Sequence, residues 1–284
     1  MSGPPQIFDR SLYARRRARA AGTDFLVRDV AAHLAERISA VNRRFQHALD
    51  VSSREESFVE LRGAAEHWRC TSLWASSQEV AGDEEALPFA PASFDLVTSV
   101  LSLHSVNDLP GALVQICQVL KPDGLFVAAL FGGETLRELR EALAIGEVEL
   151  AGGIAPRVSP FADVRDLGGL LQRAGFALPV ADVERTTVTY RDFASLAGDL
   201  RALGETNALA QRSRQLLRRD VLEAALSHYL RTHSEPDGRL RATFDVIYLI
   251  GWAPHESQQQ PLAPGSAHAS LADALRNREF SGTG

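Results

Sequence analysis

The middle of the chain alternates between short apolar runs and a helical repeat. Residues 94–97 and 125–131 are short apolar runs, which are typical of strands covered on both faces. Between them, residues 110–120 carry apolar side chains at the spacing of one helical face. We expect the helix to end at 121–124, Lys-Pro-Asp-Gly, because proline cannot donate and Gly124 can take a positive φ. Strand, helix and strand together predict a right-handed βαβ crossover.

The same patterns predict further elements on both sides of this unit. Helices are expected at 11–21, 25–37, 134–144, 164–174 (capped by Gly175) and 193–230. Strands are expected at 45–51, 69–75, 180–190 and, as an antiparallel closing strand, 242–252. The long helical stretch places Arg212, Arg214, Arg218 and Arg219 on an exposed basic face. The sequence therefore predicts an α/β fold with a mostly parallel sheet, an antiparallel last strand, helices on both faces and an inserted helical lobe at about 191–230.

Composition and charge argue against several classes of protein. The chain has 284 residues and a net charge of −6, which argues against a dedicated nucleic-acid binder. No apolar run approaches the ~20 residues of a membrane span. Cys70 and Cys117 lie far apart in the sequence and indicate neither a disulfide framework nor a zinc site. A globular protein without a transmembrane segment is predicted.

Several motifs carry a resemblance to a known family. Phe94-Asp-Leu-Val followed by Leu120-Lys-Pro-Asp-Gly resembles the second half of a class I S-adenosyl-L-methionine-dependent methyltransferase domain, which has a Rossmann-like fold. The segments 99–113, 131–140, 159–161 and 204–207 further resemble the methyltransferase-like assembly factors of respiratory complex I, a family of protein-arginine hydroxylases. The similarity runs from Ile7 to about Gly265. It implies S-adenosyl-L-methionine as cofactor and a complex I subunit as the protein client whose arginine is modified.

The resemblance also divides the chain. It implies an N-terminal helical segment at 1–40, a methyltransferase-like domain at 41–257 and a flexible tail at 258–284. We expect a bacterial cytoplasmic protein, peripheral to the inner membrane, with the mitochondrial matrix as the alternative location. The basic stretch at 11–21 is interpreted either as a solvated helix face or as a lid or docking surface.

The loop after the first predicted strand departs from the methyltransferase pattern. Residues 50–56 read Asp-Val-Ser-Ser-Arg-Glu-Glu, where related enzymes have several glycines. Glycine lets the backbone approach a ligand, whereas Ser52 and Ser53 each carry a Cβ atom. The second predicted strand also lacks the terminal acid that would hold the ribose hydroxyls. The predicted cofactor-binding positions are Asp50, Ser52, Ser53, Asp83, Glu84 and Ser99.

Three functions stay open at this point. The first is an enzyme that modifies an arginine of a complex I subunit. The second is a degenerate, non-catalytic scaffold or assembly chaperone that no longer binds S-adenosyl-L-methionine. The third, which the lost glycines disfavour, is a small-molecule methyltransferase resembling the malonyl-carrier-protein methyltransferases of biotin synthesis.

Two residues are candidates for catalysis. His104 follows the fourth strand, where open α/β sheets bind ligands, and it is interpreted as a base, a substrate contact or a packed histidine. Glu205 could bind a substrate guanidinium by a two-point contact, or lie in a turn that ends a helix. Two histidine–aspartate pairs, His104 with Asp108 and His47 with Asp50, have a spacing that could indicate a non-haem iron site. Spacing of this kind arises easily by chance. No metal site is predicted.

Overall fold

The computed structural model describes residues 5–20, 25–52, 66–71 and 79–259. The helices within these ranges are α1 (Arg10–Arg19), α2 (Phe25–Ser39), α3 (Leu109–Val119), α4 (Arg137–Ala151), α5 (Val164–Arg173), α6 (Phe193–Ala202) and α7 (Arg219–His233). The strands are β1 (His47–Val51), β2 (Glu66–Thr71), β3 (Glu79–Ala81), β4 (Phe94–Val100), β5 (Leu120–Phe131), β6 (Ala177–Tyr190) and β7 (Leu240–Trp252). A single 3-10 turn, Leu103–Ser105, follows β4.

The strands form one sheet in the order β3-β2-β1-β4-β5-β7-β6. Strand β7 is antiparallel to β5 and β6, while the pairs among β1 to β5 are parallel. One core packs α2, α4, α6 and α7 on the sheet, and a second core packs α3 and α5 on it. The predicted fold class is therefore confirmed. The strand order reverses between β1 and β4, which is where open α/β sheets bind ligands.

The aspartate in the central apolar run has a structural task. Strand β4 is buried along its whole length, and Asp95 is its second residue. The Asp95 carboxylate accepts hydrogen bonds from the backbone N–H of Gln46 (2.8 Å) and His47 (2.9 Å). These bonds satisfy a buried carboxylate and hold the start of β1 beside β4.

The turn before β5 differs from the prediction. The positive φ belongs to Asp123 (63°), so the expectation for Gly124 was wrong. Gly124 is still required, because a Cβ there would lie 2.8 Å from the Lys121 carbonyl oxygen. Asp123 donates its N–H to the carbonyl of Ala253 (3.1 Å), and aspartate tolerates the left-handed region better than most residues. The hydrogen bond to Ala253, far along the chain, thus accompanies a positive φ at Asp123 instead of at Gly124.

The helical lobe is interrupted, which corrects the continuous helix expected at 193–230. Helix α6 ends at Ala202 and α7 begins only at Arg219, so Arg212 and Arg214 lie in the irregular connection. Gly204 takes a φ of 76°, which ends the first helix. Residues 208–210 then pair with residues 7–9 through backbone hydrogen bonds of 2.8 Å. These backbone bonds replace those that a continuous helix would have made.

The chain divides into two units, Met1–Pro254 and His255–Gly284. Of the second unit, residues 255–259 are described, and there the backbone N–H of His255 donates to the Gln258 side chain at 3.2 Å. The predicted tail at 258–284 lies almost entirely outside the described residues, and the predicted domain boundaries stay predictions. Among the helices that the structure describes, none has the length and apolarity needed to cross a bilayer.

Helices α4 and α7 touch at a glycine, and this contact gives a first prediction. A Cβ on Gly146 would lie 2.7 Å from the Val221 carbonyl oxygen and 3.0 Å from the Ala225 nitrogen, both backbone atoms. Gly146→Ala should therefore destabilise the protein by about 1–3 kcal/mol through overpacking. The free energy of unfolding, measured by urea titration, checks this.

Gly169 on α5 provides the matched control. A Cβ at this position meets nothing within 4 Å. Gly169→Ala should therefore stabilise the protein by about 0.5–1 kcal/mol, as alanine does in a helix interior. Two changes of the same sign would show that close helix packing does not explain Gly146.

Candidate functional site

Helix α1 crosses the carboxyl ends of β1 and β4, at the point where the strand order reverses. The Arg17 guanidinium donates to the carbonyl of Ser52 at the end of β1 (3.0 Å) and to that of Leu101 after β4 (3.1 Å). Ser52 and Leu101 have φ values of 59° and 48°. Left-handed backbone costs non-glycine residues of order 1 kcal/mol and clusters at functional sites. Ser52 thus adopts a glycine-like conformation although it carries a side chain.

A second arginine of α1 binds the acidic segment after β3. The Glu84 side chain is only 3% exposed. It accepts a hydrogen bond from the Ser102 hydroxyl (2.7 Å) and another from the Arg10 guanidinium, which also contacts Asp83 at 3.1 Å. Burial is the largest influence and pushes the pKa of Glu84 upward, but the positive charge of Arg10 and the hydrogen bonds to the carboxylate together hold that pKa below its ordinary value. Glu84 is therefore a buried, ionised carboxylate.

Glu205 joins α1 to the segment after β4. The Tyr13 hydroxyl donates to one of its oxygens (2.9 Å), and His104 Nε2 lies 3.2 Å from the other. Burial is the largest influence and acts to raise the pKa of Glu205, but the interactions with His104, Arg17 and Tyr13 together bring it below its ordinary value. Burial, and then the negative charge of Glu205, raise the pKa of Tyr13. The Tyr13 hydroxyl therefore remains protonated and acts as the donor.

His104 is enclosed by aromatic rings. Its side chain is 2% exposed, and its ring centroid lies 4.9 Å from that of Phe131 and 5.7 Å from that of Phe161. The second ring nitrogen, Nδ1, is buried without a hydrogen-bond partner among the described residues. Buried polar atoms normally have partners, so this atom indicates a place for a water molecule or a ligand group.

A cavity of about 180 Å³ opens beside Glu205. Its walls come from the end of β5, the start of α4, residues 157–161, α6 and the 203–207 segment. Most lining side chains are apolar, and they include Phe131, Phe161, Leu200 and Phe244. Gly204 allows the 203–207 segment to meet α1, because a Cβ there would lie 3.1 Å from Arg17 Cα. The cavity combines mostly apolar walls with the carboxylate of Glu205, and this combination is common in ligand sites.

Comparison with known proteins assigns the family. A methyltransferase-domain family model matches residues 31–128. Arginine-hydroxylase NDUFAF5, mitochondrial, of Danio rerio is 42% identical over 286 aligned positions, which cover 94% of this chain and 89% of that protein. The chain belongs to the arginine-hydroxylase NDUFAF5 family. The predicted family resemblance is thereby confirmed.

Two more distant similarities agree with the fold. Malonyl-[acyl-carrier protein] O-methyltransferase of Xylella fastidiosa (strain M23) is 34% identical over 231 aligned positions, covering 81% of this chain and 74% of that protein. The crystal structure of the YcgJ protein of Bacillus subtilis superimposes with a TM-score of 0.53 at 14% identity, covering 79% of this chain and 99% of that chain. At this identity the structural match shows the fold alone.

The predicted cofactor positions of this NDUFAF5-family chain do not form one open site. Asp50 accepts from the Thr98 hydroxyl (3.1 Å) and Ser99 donates to the Val51 carbonyl (2.9 Å), so both side chains link β1 to β4 inside the sheet. Ser53 lies outside the described residues. Ser52, Asp83 and Glu84 do lie at the carboxyl edge, where α1 contacts all three.

The described residues do not fit S-adenosyl-L-methionine in this arrangement. The backbone oxygens at the ends of β1 and β4 accept hydrogen bonds from Arg17. The Glu84 carboxylate after β3 is bonded to Arg10 and Ser102. A cofactor that used these groups would require α1 to move.

The two suggested metal pairs have other roles. Asp108 accepts from the backbone N–H of Gly111 (2.9 Å), so it caps α3. His104 binds Glu205 instead. His47 Nδ1 lies 3.0 Å from Lys121 Nζ, whereas Asp50 binds Thr98. Neither pair is assembled as a ligand set.

Sequence reasoning missed the α1 residues Arg10, Tyr13 and Arg17 as members of the site. They occupy positions i, i+3 and i+7 of a helix, so they share one face. This periodicity was available in the sequence, but it was hidden among neighbouring arginines. Of the two interpretations of the basic stretch, the contacts favour the lid over the solvated face.

A pH prediction follows from Glu84. Glu84→Gln leaves the Arg10 guanidinium, only 17% exposed, without its buried counter-ion, and should cost about 3 kcal/mol at neutral pH. The folded-state pKa of Glu84 lies below its ordinary value of 4.5, so its stabilisation is complete above that pH and is lost as the pH falls. The variant's free energy of unfolding should thus change less with pH below about 4.5.

Glu149, an exposed glutamate on α4, serves as the control. Glu149→Gln should leave both the stability at neutral pH and its acid dependence close to those of the unmodified protein. An equal acid dependence in the Glu84 variant and in the unmodified protein would contradict the role assigned to Glu84.

Proposed function

We propose that this protein binds an arginine side chain of a protein client in the cavity beside Glu205. The single observation that supports this is an ionised carboxylate, only 15% exposed, on the wall of a mostly apolar cavity. Each Glu205 oxygen has one contact, with Tyr13 or with His104. Because a carboxylate offers about four acceptor positions, both oxygens can still accept from the two N–H groups of a guanidinium.

The rest of the cavity suits the length of an arginine side chain. Phe131, Phe161 and Phe244 offer apolar faces for the methylene groups and aromatic rings for the cation. Two arginines, Arg157 and Arg201, belong to the cavity wall. Arg157 is neutralised by Glu147 at 2.6 Å, which reduces its repulsion of a bound guanidinium. A volume of about 180 Å³ exceeds the roughly 150 Å³ cavity that admits one benzene molecule.

The name of the family points to the chemistry of the client. The Danio rerio relative is named an arginine-hydroxylase and mitochondrial. With the resemblance to complex I assembly factors, this supports a respiratory complex I subunit as the client. The net charge of −6 favours a protein client over nucleic acid. We place the protein in the bacterial cytoplasm at the inner membrane, with the mitochondrial matrix as the alternative.

The two predicted catalytic residues receive different roles in this proposal. Glu205 binds and orients the guanidinium, and His104 holds the Glu205 carboxylate in place through its Nε2 contact. Hydroxylation of the client would also require dioxygen and two electrons from an external reductant. Glu205, His104 and Tyr13 therefore account for binding and orientation.

Glu205→Gln tests the proposal directly. The variant keeps the shape of the side chain but loses the charge, so affinity for an arginine-containing peptide of the client should fall by roughly 10- to 100-fold. A peptide with citrulline in place of arginine, which is neutral and of similar shape, should bind the unmodified protein about as weakly. Fluorescence anisotropy with labelled peptides measures both affinities.

Glu223→Gln on α7 is the matched control, because Glu223 is exposed and pairs with Arg219. It should leave peptide affinity unchanged. Equal affinities for the arginine and citrulline peptides in the unmodified protein would overturn the proposal, whatever the variants show.

A second candidate function is a scaffold that does not use S-adenosyl-L-methionine. The observation that favours it is the engagement of Ser52, Leu101 and Glu84 by Arg10 and Arg17. The absence of glycine from residues 50–56 also favours the scaffold. A scaffold would still bind its client at the cavity, so the two functions differ in whether the client is modified.

Two measurements separate the enzyme from the scaffold. Calorimetric titration of the full chain with S-adenosyl-L-methionine should show no saturable heat, and a stoichiometric binding curve would contradict the second candidate. The intact mass of the complex I subunit should then be compared in cells with and without the protein. A difference of one oxygen atom supports hydroxylation, a difference of one methylene supports methylation, and no difference supports the scaffold.

A further inference from the structure

Two histidines and a glutamate meet on the surface formed by α4 and α7. Glu141 lies on α4, and His228 and His233 lie on α7. The two carboxylate oxygens are each 3.2 Å from an imidazole Nε2, one from each histidine. The three donor atoms all lie within 4.8 Å of one another. None of the three residues lines the cavity, and the proposed function does not use them.

The side chains are held in place by their surroundings. The imidazoles are only 16% and 15% exposed, whereas Glu141 is half exposed. The Tyr229 ring packs edge-on against His233, with centroids 5.8 Å apart. The close helix contact at Gly146 sets the spacing of α4 and α7. Two nearly buried nitrogen donors and one accessible oxygen donor are therefore presented together, with solvent on the remaining side.

We propose that Glu141, His228 and His233 bind a divalent zinc ion. Two imidazoles and a carboxylate are a ligand set that zinc accepts, with water completing the shell. Zinc bonds of 2.0–2.2 Å in tetrahedral geometry place donor atoms roughly 3.3 Å apart. Each Glu141 oxygen lies 3.2 Å from one of the two histidine nitrogens, and one ligand atom from each residue lies within 4.8 Å of the others. Rotations of the three side chains would bring one oxygen and both nitrogens to the tetrahedral spacing. Nitrogen donors argue against calcium and magnesium, which prefer oxygen, and the usual affinity order places zinc above ferrous iron.

The competing explanation is a carboxylate that simply pairs with two imidazoles. Histidine near the end of a helix interacts favourably with the helix dipole when it is protonated. That account requires positive imidazoles, whereas metal binding requires neutral ones. Metal titration at pH 7.5 therefore distinguishes the two explanations.

The helix geometry separates this site from the cavity. Leu139 lines the cavity, and Glu141 follows it by two residues, or about 200° around the helix. The zinc ion would therefore face away from the bound arginine and would not supply an oxidant to it. Its effect would be to link α4 to α7 and stabilise the lobe, since a ligand that binds only the folded state stabilises it.

The experiment uses the full chain without a polyhistidine tag, freed of metal by chelation and titrated with zinc at pH 7.5. We expect one ion per chain and a rise in the thermal unfolding midpoint that EDTA reverses. The variants His228→Ala and His233→Ala should each bind zinc roughly a hundredfold more weakly, and Glu141→Gln at least tenfold. Cobalt should give a visible absorption band that both histidine variants lose.

His33→Ala is the matched control, because His33 also pairs with a carboxylate, that of Glu184 at 2.9 Å. It should retain zinc binding and the cobalt spectrum. If a histidine variant fails to fold, the zinc affinity of the isosteric variant Glu141→Gln still tests the proposal. Absence of zinc binding by the unmodified chain, or unchanged binding after His228 and His233 are both replaced, would overturn the proposal.

Discussion

A buried guanidinium at the carboxyl edge of the sheet is the interaction on which the functional surface depends. Arg17 bonds to the carbonyl oxygens that end β1 and follow β4, and to the Tyr13 hydroxyl at 3.2 Å. An unpaired charge at this depth would cost many kcal/mol, so α1 is stable here only with all of these partners in place. The helix is consequently fixed over the point where the strand order reverses, and the residues beside Arg17 become part of the site.

Three distant parts of the chain meet through this constraint. Tyr13 comes from α1, His104 from the turn after β4, and Glu205 from the connection between α6 and α7. Each satisfies a polar group of another, which is how buried polar networks hold one arrangement. The exception is His104 Nδ1, which has no hydrogen-bond partner among the described residues.

Helices α4 and α7 pack closely against each other within the core that also contains α2 and α6. Gly146 brings α4 against the backbone of α7, and the same pair of helices carries the Glu141 cluster on its outer face. Because Leu136 and Leu139 of α4 line the cavity, the stability of this pair bears on the shape of the site. Helix α4 thus carries both Glu141 of the surface cluster and Leu139 of the cavity wall, although the two sites are not in contact.

The amino-acid sequence by itself determined the β4-α3-β5 unit, the antiparallel last strand and the family. Apolar runs and helical periodicity report burial locally, so no distant contact is needed to recognise them. Only the tertiary structure decided that Asp123 takes the positive φ, that the lobe is broken at 203–218, and what Arg10 and Arg17 bind. These features depend on contacts between residues that lie tens to hundreds of positions apart. Such long-range contacts produce no periodic pattern in the sequence that would reveal them.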